Sequence, residues 1–112
     1  MVLVETPLFT RQITSLLSDD EYQQFQEWLS DHPDLGSRIP GASGLRKIRL
    51  ALQGRGKRGG ARVIYLWQVR QDKILLLYAY RKNDVEDLSA ALLAQLAAIA
   101  LQEMNDETGT IQ

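Results

Sequence analysis

Leu45-Arg46-Lys47-Ile48-Arg49-Leu50-Ala51-Leu52 and, after a glycine-rich loop, Ala61-Arg62-Val63-Ile64-Tyr65-Leu66-Trp67-Gln68-Val69-Arg70 set the fold class, because here the apolar period is two. Successive strand side chains point to opposite faces, so the first segment separates Arg46, Ile48, Leu50 and Leu52 from Leu45, Lys47, Arg49 and Ala51. The second separates Val63, Tyr65, Trp67 and Val69 from Arg62, Ile64, Leu66, Gln68 and Arg70. Gln71-Asp72 then reads as a two-residue turn, although a glycine would suit such a turn better. Lys73 to Tyr80 is apolar at Ile74, Leu75, Leu76, Leu77 and Tyr78, without alternation. That pattern predicts a central strand covered on both sides.

Helical signals flank these strands. Val2-Leu3-Val4-Glu5 is a short strand candidate, and Thr6-Pro7 reads as an N-cap followed by proline at the first helical position, opening a helix from Pro7 to Leu17. Ser18 and Glu21 have the spacing of a capping box, with Leu17 and Tyr22 placed as a hydrophobic staple. The helix that follows presents Tyr22, Phe25, Trp28 and Leu29 on one face and stops before His32-Pro33, so an antiparallel helical hairpin is expected. Pro33, Gly36, Pro40, Gly41 and Gly44 mark an irregular connection. Beyond the strands, Asp84 or Asn83 is the expected N-cap of a last helix, with Glu86 and Asp87 in its first turn. It should run to Met104 with Leu88, Leu92, Leu93, Leu96, Ile99 and Ala100 as a stripe that packs on the sheet, the alternative being a face offered to a partner.

Composition places few bounds beyond a single globular domain: 112 residues, 45% hydrophobic and 24% charged. Cysteine is absent, which removes disulfides and thiolate metal sites. Neither a signal peptide nor a membrane span is readable, so a soluble, cytoplasmic protein is expected. The charge distribution is more informative. Between Arg38 and Lys82 eight Arg and four Lys stand against Asp72 alone, whereas both flanks are acidic and the total is −1. A cationic middle of this kind concentrates and steers polyanions.

Ordinary catalytic sets are missing. The single histidine, His32, precedes a proline in an acidic region, which removes a histidine triad or a two-histidine nuclease. Asp19, Asp20 and Glu21, like Asp84, Glu86 and Asp87, read as helix starts rather than cation cages, so no metal or cofactor is expected. Gly54-Arg55-Gly56-Lys57-Arg58-Gly59-Gly60 lacks the Walker order and precedes a strand, so it is a solvated hairpin loop or an anion contact, not a nucleotide P-loop. Arg46, Lys47, Arg49, Arg62, Arg81 and Lys82 lie near the ends of adjacent strands, where an antiparallel sheet can gather several of them. Cations that converge without carboxylates call for an anion, and a phosphodiester is the natural one. RNA cleavage by its own 2′-hydroxyl needs a base, stabilisation of the phosphorane and an acid, and guanidinium groups serve the second.

Gly44-Leu45-Arg46-Lys47-Ile48-Arg49, Gly54 through Tyr65, and Tyr80-Arg81-Lys82-Asn83-Asp84 with Asp87-Leu88 together resemble the RelE superfamily of toxin–antitoxin toxins, and within it the HigB branch. The helix start Ser18 to Tyr22 and the connection His32 to Gly36 extend that resemblance. It implies an α/β (α+β) RelE-like fold: a twisted, mainly antiparallel sheet of about four strands with two amino-terminal helices and one carboxy-terminal helix. The domain would span residues 1–112, with 105–112 as a loose tail. It further implies a metal-independent endoribonuclease that enters the ribosomal A site, cuts translating mRNA and is held inactive by a cognate antitoxin protein. By motif match Arg46, Lys47 and Arg49 face the phosphate, Arg62 stabilises the phosphorane, and Lys82 or Asn83 takes the basic position at the strand end. Arg55, Lys57, Arg58 and Arg81 join Arg49 in contacting the RNA backbone. The late tyrosine that some RelE members use as a base is missing, Leu88-Ser89 standing there, so the general base is open. Two alternatives remain: a ParE-type toxin acting on DNA gyrase, and a non-catalytic RNA-binding domain.

Overall fold

The computed structural model describes residues 1–51, 60–82 and 87–110, with side chains through Glu103. In chain order the elements are β1 (Val2–Glu5), α1 (Pro7–Leu16), α2 (Asp19–Asp31), β2 (Ser37–Arg38), β3 (Arg46–Leu50), β4 (Ala61–Gln68), β5 (Lys73–Arg81) and α3 (Ala90–Thr110). The strands form one sheet of five in the order β1-β5-β4-β3-β2, antiparallel except for β1, which runs parallel to β5. The α+β expectation holds, with one strand more than expected. That strand, β2, is a two-residue pairing of Ser37 with Lys47 and Arg38 with Arg46. It lies in the proline- and glycine-rich connection and is too short to carry a period.

Both amino-terminal helices start as their caps dictate. The Thr6 hydroxyl accepts from the Phe9 N–H at 3.2 Å with Pro7 behind it. Ser18 and Glu21 close the capping box, at 2.8 Å from the Ser18 N–H and 3.2 Å from the Glu21 N–H. Helices α1 and α2 lie on one face of the sheet, where Phe9, Ile13, Leu16, Phe25 and Leu29 meet Ile48, Leu50, Val63, Tyr65, Ile74 and Leu76 in one core. They share that core through the Phe9–Tyr22 ring contact instead of packing chiefly on each other as a hairpin would. Trp28, expected on the buried face, is 43% exposed, because it stands at the margin of α2 beyond the β3 edge.

On the other face α3 covers a second core of Leu45, Ile64, Leu75, Leu77 and Tyr80 with Leu96 and Ala100. Strand β5 is therefore covered on both sides, as its unbroken apolar run predicts. Helix α3 starts later than expected: the Ser89 hydroxyl accepts from the Leu92 N–H at 3.1 Å and the helix begins at Ala90, leaving Asp87 ahead of it. Asn83, Asp84 and Glu86 lie outside the described residues. This helix also continues to Thr110, past the expected end at Met104. Ile99, expected in the packed stripe, is 39% exposed.

Two irregularities shape β4 and β5. The connection is the turn Val69–Asp72, closed by the Asp72 N–H on the Val69 carbonyl at 3.2 Å, with Asp72 itself at φ 51. Aspartate tolerates that left-handed position, so no glycine is needed. Further along, Ile64 pairs with Tyr78 but Tyr65 with Leu76, which makes Leu77 the extra residue of a bulge. Just past the bulge the Gln12 side chain accepts from the Ala79 N–H at 2.8 Å.

Candidate functional site

Antiparallel register decides which cations meet. On the face covered by α3, Arg49 of β3 stands opposite Arg62 of β4, and Arg62 stands opposite Tyr80 of β5. The next row along is Lys47, Ile64 and Tyr78. Two adjacent rows therefore carry three cations and two phenols across three strands. Directly opposed like charges destabilise a sheet. Arg62 adds a second cost, since it is only 8% exposed. Its Nη1 donates to the Ala61 carbonyl at 3.4 Å, and no carboxylate pairs with it among the described residues. A guanidinium buried in this way gains most from an anion brought to it.

The tyrosines complete this end of the sheet. Tyr78 and Tyr80 are tilted rings with centroids 5.9 Å apart. Burial raises the Tyr80 phenol above its ordinary value; the Arg62 charge pulls it back and Asp87 pushes it up. The Tyr80 hydroxyl is thus a proton donor at neutral pH. Beside it is a cavity of about 160 Å³ lined by Ile39, Lys47, Ile64, Tyr80, Asp87, Leu88 and Leu93. Among the described residues no three His, Asp or Glu side chains cluster as metal ligands.

Other candidate residues lie elsewhere. Arg46 sits opposite Tyr65, on the α1 and α2 face, and its Nη1 donates to the carbonyls of Gly36 at 2.7 Å and Asp34 at 3.3 Å. It is therefore separated from Lys47 and Arg49, with which it was expected to face a phosphate, and it holds the connection before β2. The Tyr65 hydroxyl ties the same connection, accepting from the Gly36 N–H and donating to the Pro33 carbonyl, both at 2.8 Å. There is no room at Gly36 for a side chain, since a Cβ would stand 2.8 Å from that hydroxyl. Arg81 pairs with Ala61 and belongs to the face opposite Arg62. Lys82 is exposed just past β5, its N–H on the Gly60 carbonyl at 3.1 Å. Arg55, Lys57, Arg58 and Asn83 lie outside the described residues.

Tyr78, Tyr80 and Asp87 are the residues that the sequence reading did not assign to the site. The tyrosines read as core of a central strand and Asp87 as a helix start. Only the cross-strand register relates them to Arg62, and that register depends on the bulge at Leu77.

A family model described as the RelE toxin of the RelE / RelB toxin–antitoxin system matches residues 33–111. Among solved structures, the E. coli toxin RelE with two arginine-to-alanine substitutions, in the free state, is similar with a TM-score of 0.53 and 14% identity, over 88% of this chain and 95% of that one. The intact E. coli RelBE toxin–antitoxin complex is similar with a TM-score of 0.54 and 13% identity, over 70% of this chain and 92% of that one. At such identities the structural likeness concerns the fold, and the match over residues 33–111 concerns the family. Neither singles out the HigB branch.

Proposed function

Because the chain belongs to the RelE toxin family, we propose that it is the toxin of a toxin–antitoxin pair and cuts mRNA on the ribosome, using the α3 face of β3, β4 and β5 as its phosphate site. The observation that carries this reading is Arg62, a buried guanidinium with a second arginine opposite it and no carboxylate paired to it among the described residues. As the 2′-hydroxyl attacks phosphorus and gives up its proton to solvent, negative charge grows on the phosphorane oxygens, and Arg62 with Arg49 and Lys47 stabilises it there before the bond to the 5′-oxygen breaks. The protonated Tyr80 hydroxyl, next to Arg62, donates to the departing 5′-oxygen. Lys82 extends the basic rim at the end of β5. Holding the RNA in attack geometry falls to the ribosome, and such positioning removes several kcal/mol of the barrier. A cognate antitoxin then acts by covering this cationic face.

The test is cleavage-site mapping of an mRNA in a purified translation system, with and without ribosomes, for the native chain and for Arg62→Ala. Ribosome-dependent cuts within A-site codons are expected, with Arg62→Ala slower by about 100-fold or more and its thermal midpoint recorded to confirm folding. Intact mRNA with translation blocked would replace cleavage by binding alone. Unaffected translation would move the assignment to gyrase.

A further inference from the structure

The cavity beside Tyr80 has a composition that a phosphate site does not need. Four of its walls are apolar, Ile39, Ile64, Leu88 and Leu93, and beside the Tyr80 hydroxyl its charged groups are opposite in kind: the Lys47 ammonium only donates, and the Asp87 carboxylate only accepts. An anion placed here would face Asp87. An aliphatic ligand would leave both charged groups without a partner. At about 160 Å³ it is smaller than the pockets of roughly 300 Å³ or more that take whole drug-sized ligands. What suits it is a single flat ring system with apolar faces, a donor on one edge and an acceptor beside it.

We infer that this cavity receives one nucleobase of the RNA substrate, with an exocyclic amine donating to Asp87 and a ring nitrogen accepting from Lys47. The inference rests on the proposed RNA-cleaving reading and specifies it. Tyr80 both lines the cavity and stands opposite Arg62, so a base held here places its own phosphate at the Arg49–Arg62 row. Cytosine and adenine carry the required amine next to a ring acceptor; uracil puts a carbonyl oxygen in that place, acceptor against acceptor. The Ile39, Ile64, Leu88 and Leu93 walls supply contact to the ring faces and no base preference. Discrimination therefore falls to Asp87 together with Lys47, and Asp87 is exposed and outside any helix, so its substitution leaves the core intact.

The experiment is a methyl NMR titration of the full chain with CMP, AMP, UMP and inorganic phosphate, for the native protein and Asp87→Asn. CMP and AMP are expected to shift the methyls of Ile39, Ile64, Leu88 and Leu93, with UMP weaker by roughly tenfold. Phosphate should move only signals around Arg49 and Arg62. In Asp87→Asn the difference between CMP and UMP should narrow to the part that Lys47 supplies, and mapped mRNA cuts should lose much of their bias towards cytosine and adenine. Nucleotides that perturb the same signals as phosphate and no others, or CMP and UMP binding equally to the native chain, would overturn the inference. CMP binding in the cavity without any ribosome-dependent cutting would retain the base site and remove the nuclease.

Discussion

Tyr65 and Arg46 show how one side of a strand pair is taken up by architecture while the other is left for chemistry. They stand opposite each other, and both hold the connection of residues 33–36 by hydrogen bonds to its backbone. Tyr65→Phe keeps the ring but leaves the Gly36 N–H and the Pro33 carbonyl without it, and should cost about 1–3 kcal/mol in denaturant unfolding. The same substitution should alter the alkaline limit of stability. Burial raises the Tyr65 phenol above its ordinary 10.0, so folding favours the protonated form. That contribution is complete below the unfolded value and is lost as pH rises through the folded one. Unfolding measured between neutral pH and pH values above 10.0 should therefore show a shallower alkaline decline in Tyr65→Phe than in the native chain. Alternation within the sequence already separates Arg46 from Lys47 and Arg49, yet their shared charge suggests a common task. The reach of a side chain to a carbonyl ten residues away has no local signature.

At the level of elements, the signals that can be read from neighbours were legible. Thr6-Pro7, the Ser18–Glu21 box and the period of two from Leu45 onwards each predict a structure that forms there, the strand starting one residue later at Arg46. Features that depend on a distant partner were not. Strand β2 exists only because β3 lies beside it, and the bulge at Leu77 only because β4 and β5 shift register. Helix α3 is capped by Ser89 and begins at Ala90 although Asp84 and Asn83 are equally good caps, so local propensity left several starts open. The bulge has an energetic counterpart in Gln12, which accepts from Ala79 N–H across a separation of 67 residues. Replacing Gln12 by Leu preserves the helix but removes that acceptor. A loss of about 1–3 kcal/mol is expected from denaturant unfolding, with the helical circular dichroism unchanged.

Across the molecule, charge and topology together define what the chain can meet. The candidate site was legible as a class of chemistry, cations without carboxylates, but not as a constellation, because which of twelve bases converge depends on register. Attraction of this kind carries a salt signature: on the proposed function, affinity for ribosome-bound mRNA should fall linearly on logarithmic axes as salt rises, and Arg49→Ala should reduce the slope by about 0.7. A binding titration over several salt concentrations measures both. The parallel pairing of β1 with β5 has a further consequence in time. Among the described strands β1 pairs with β5 alone, and Thr6 at its end reaches Leu77 across 71 residues. Tyr22 and Thr10 can bond Glu5 earlier, but the backbone ladder of β1 waits for β5, and the Arg62–Tyr80 row waits for the same event. Long-range pairing of this sort is slow to form. A nascent chain thus has no assembled Arg49–Arg62–Tyr80 row until β5 has joined the sheet.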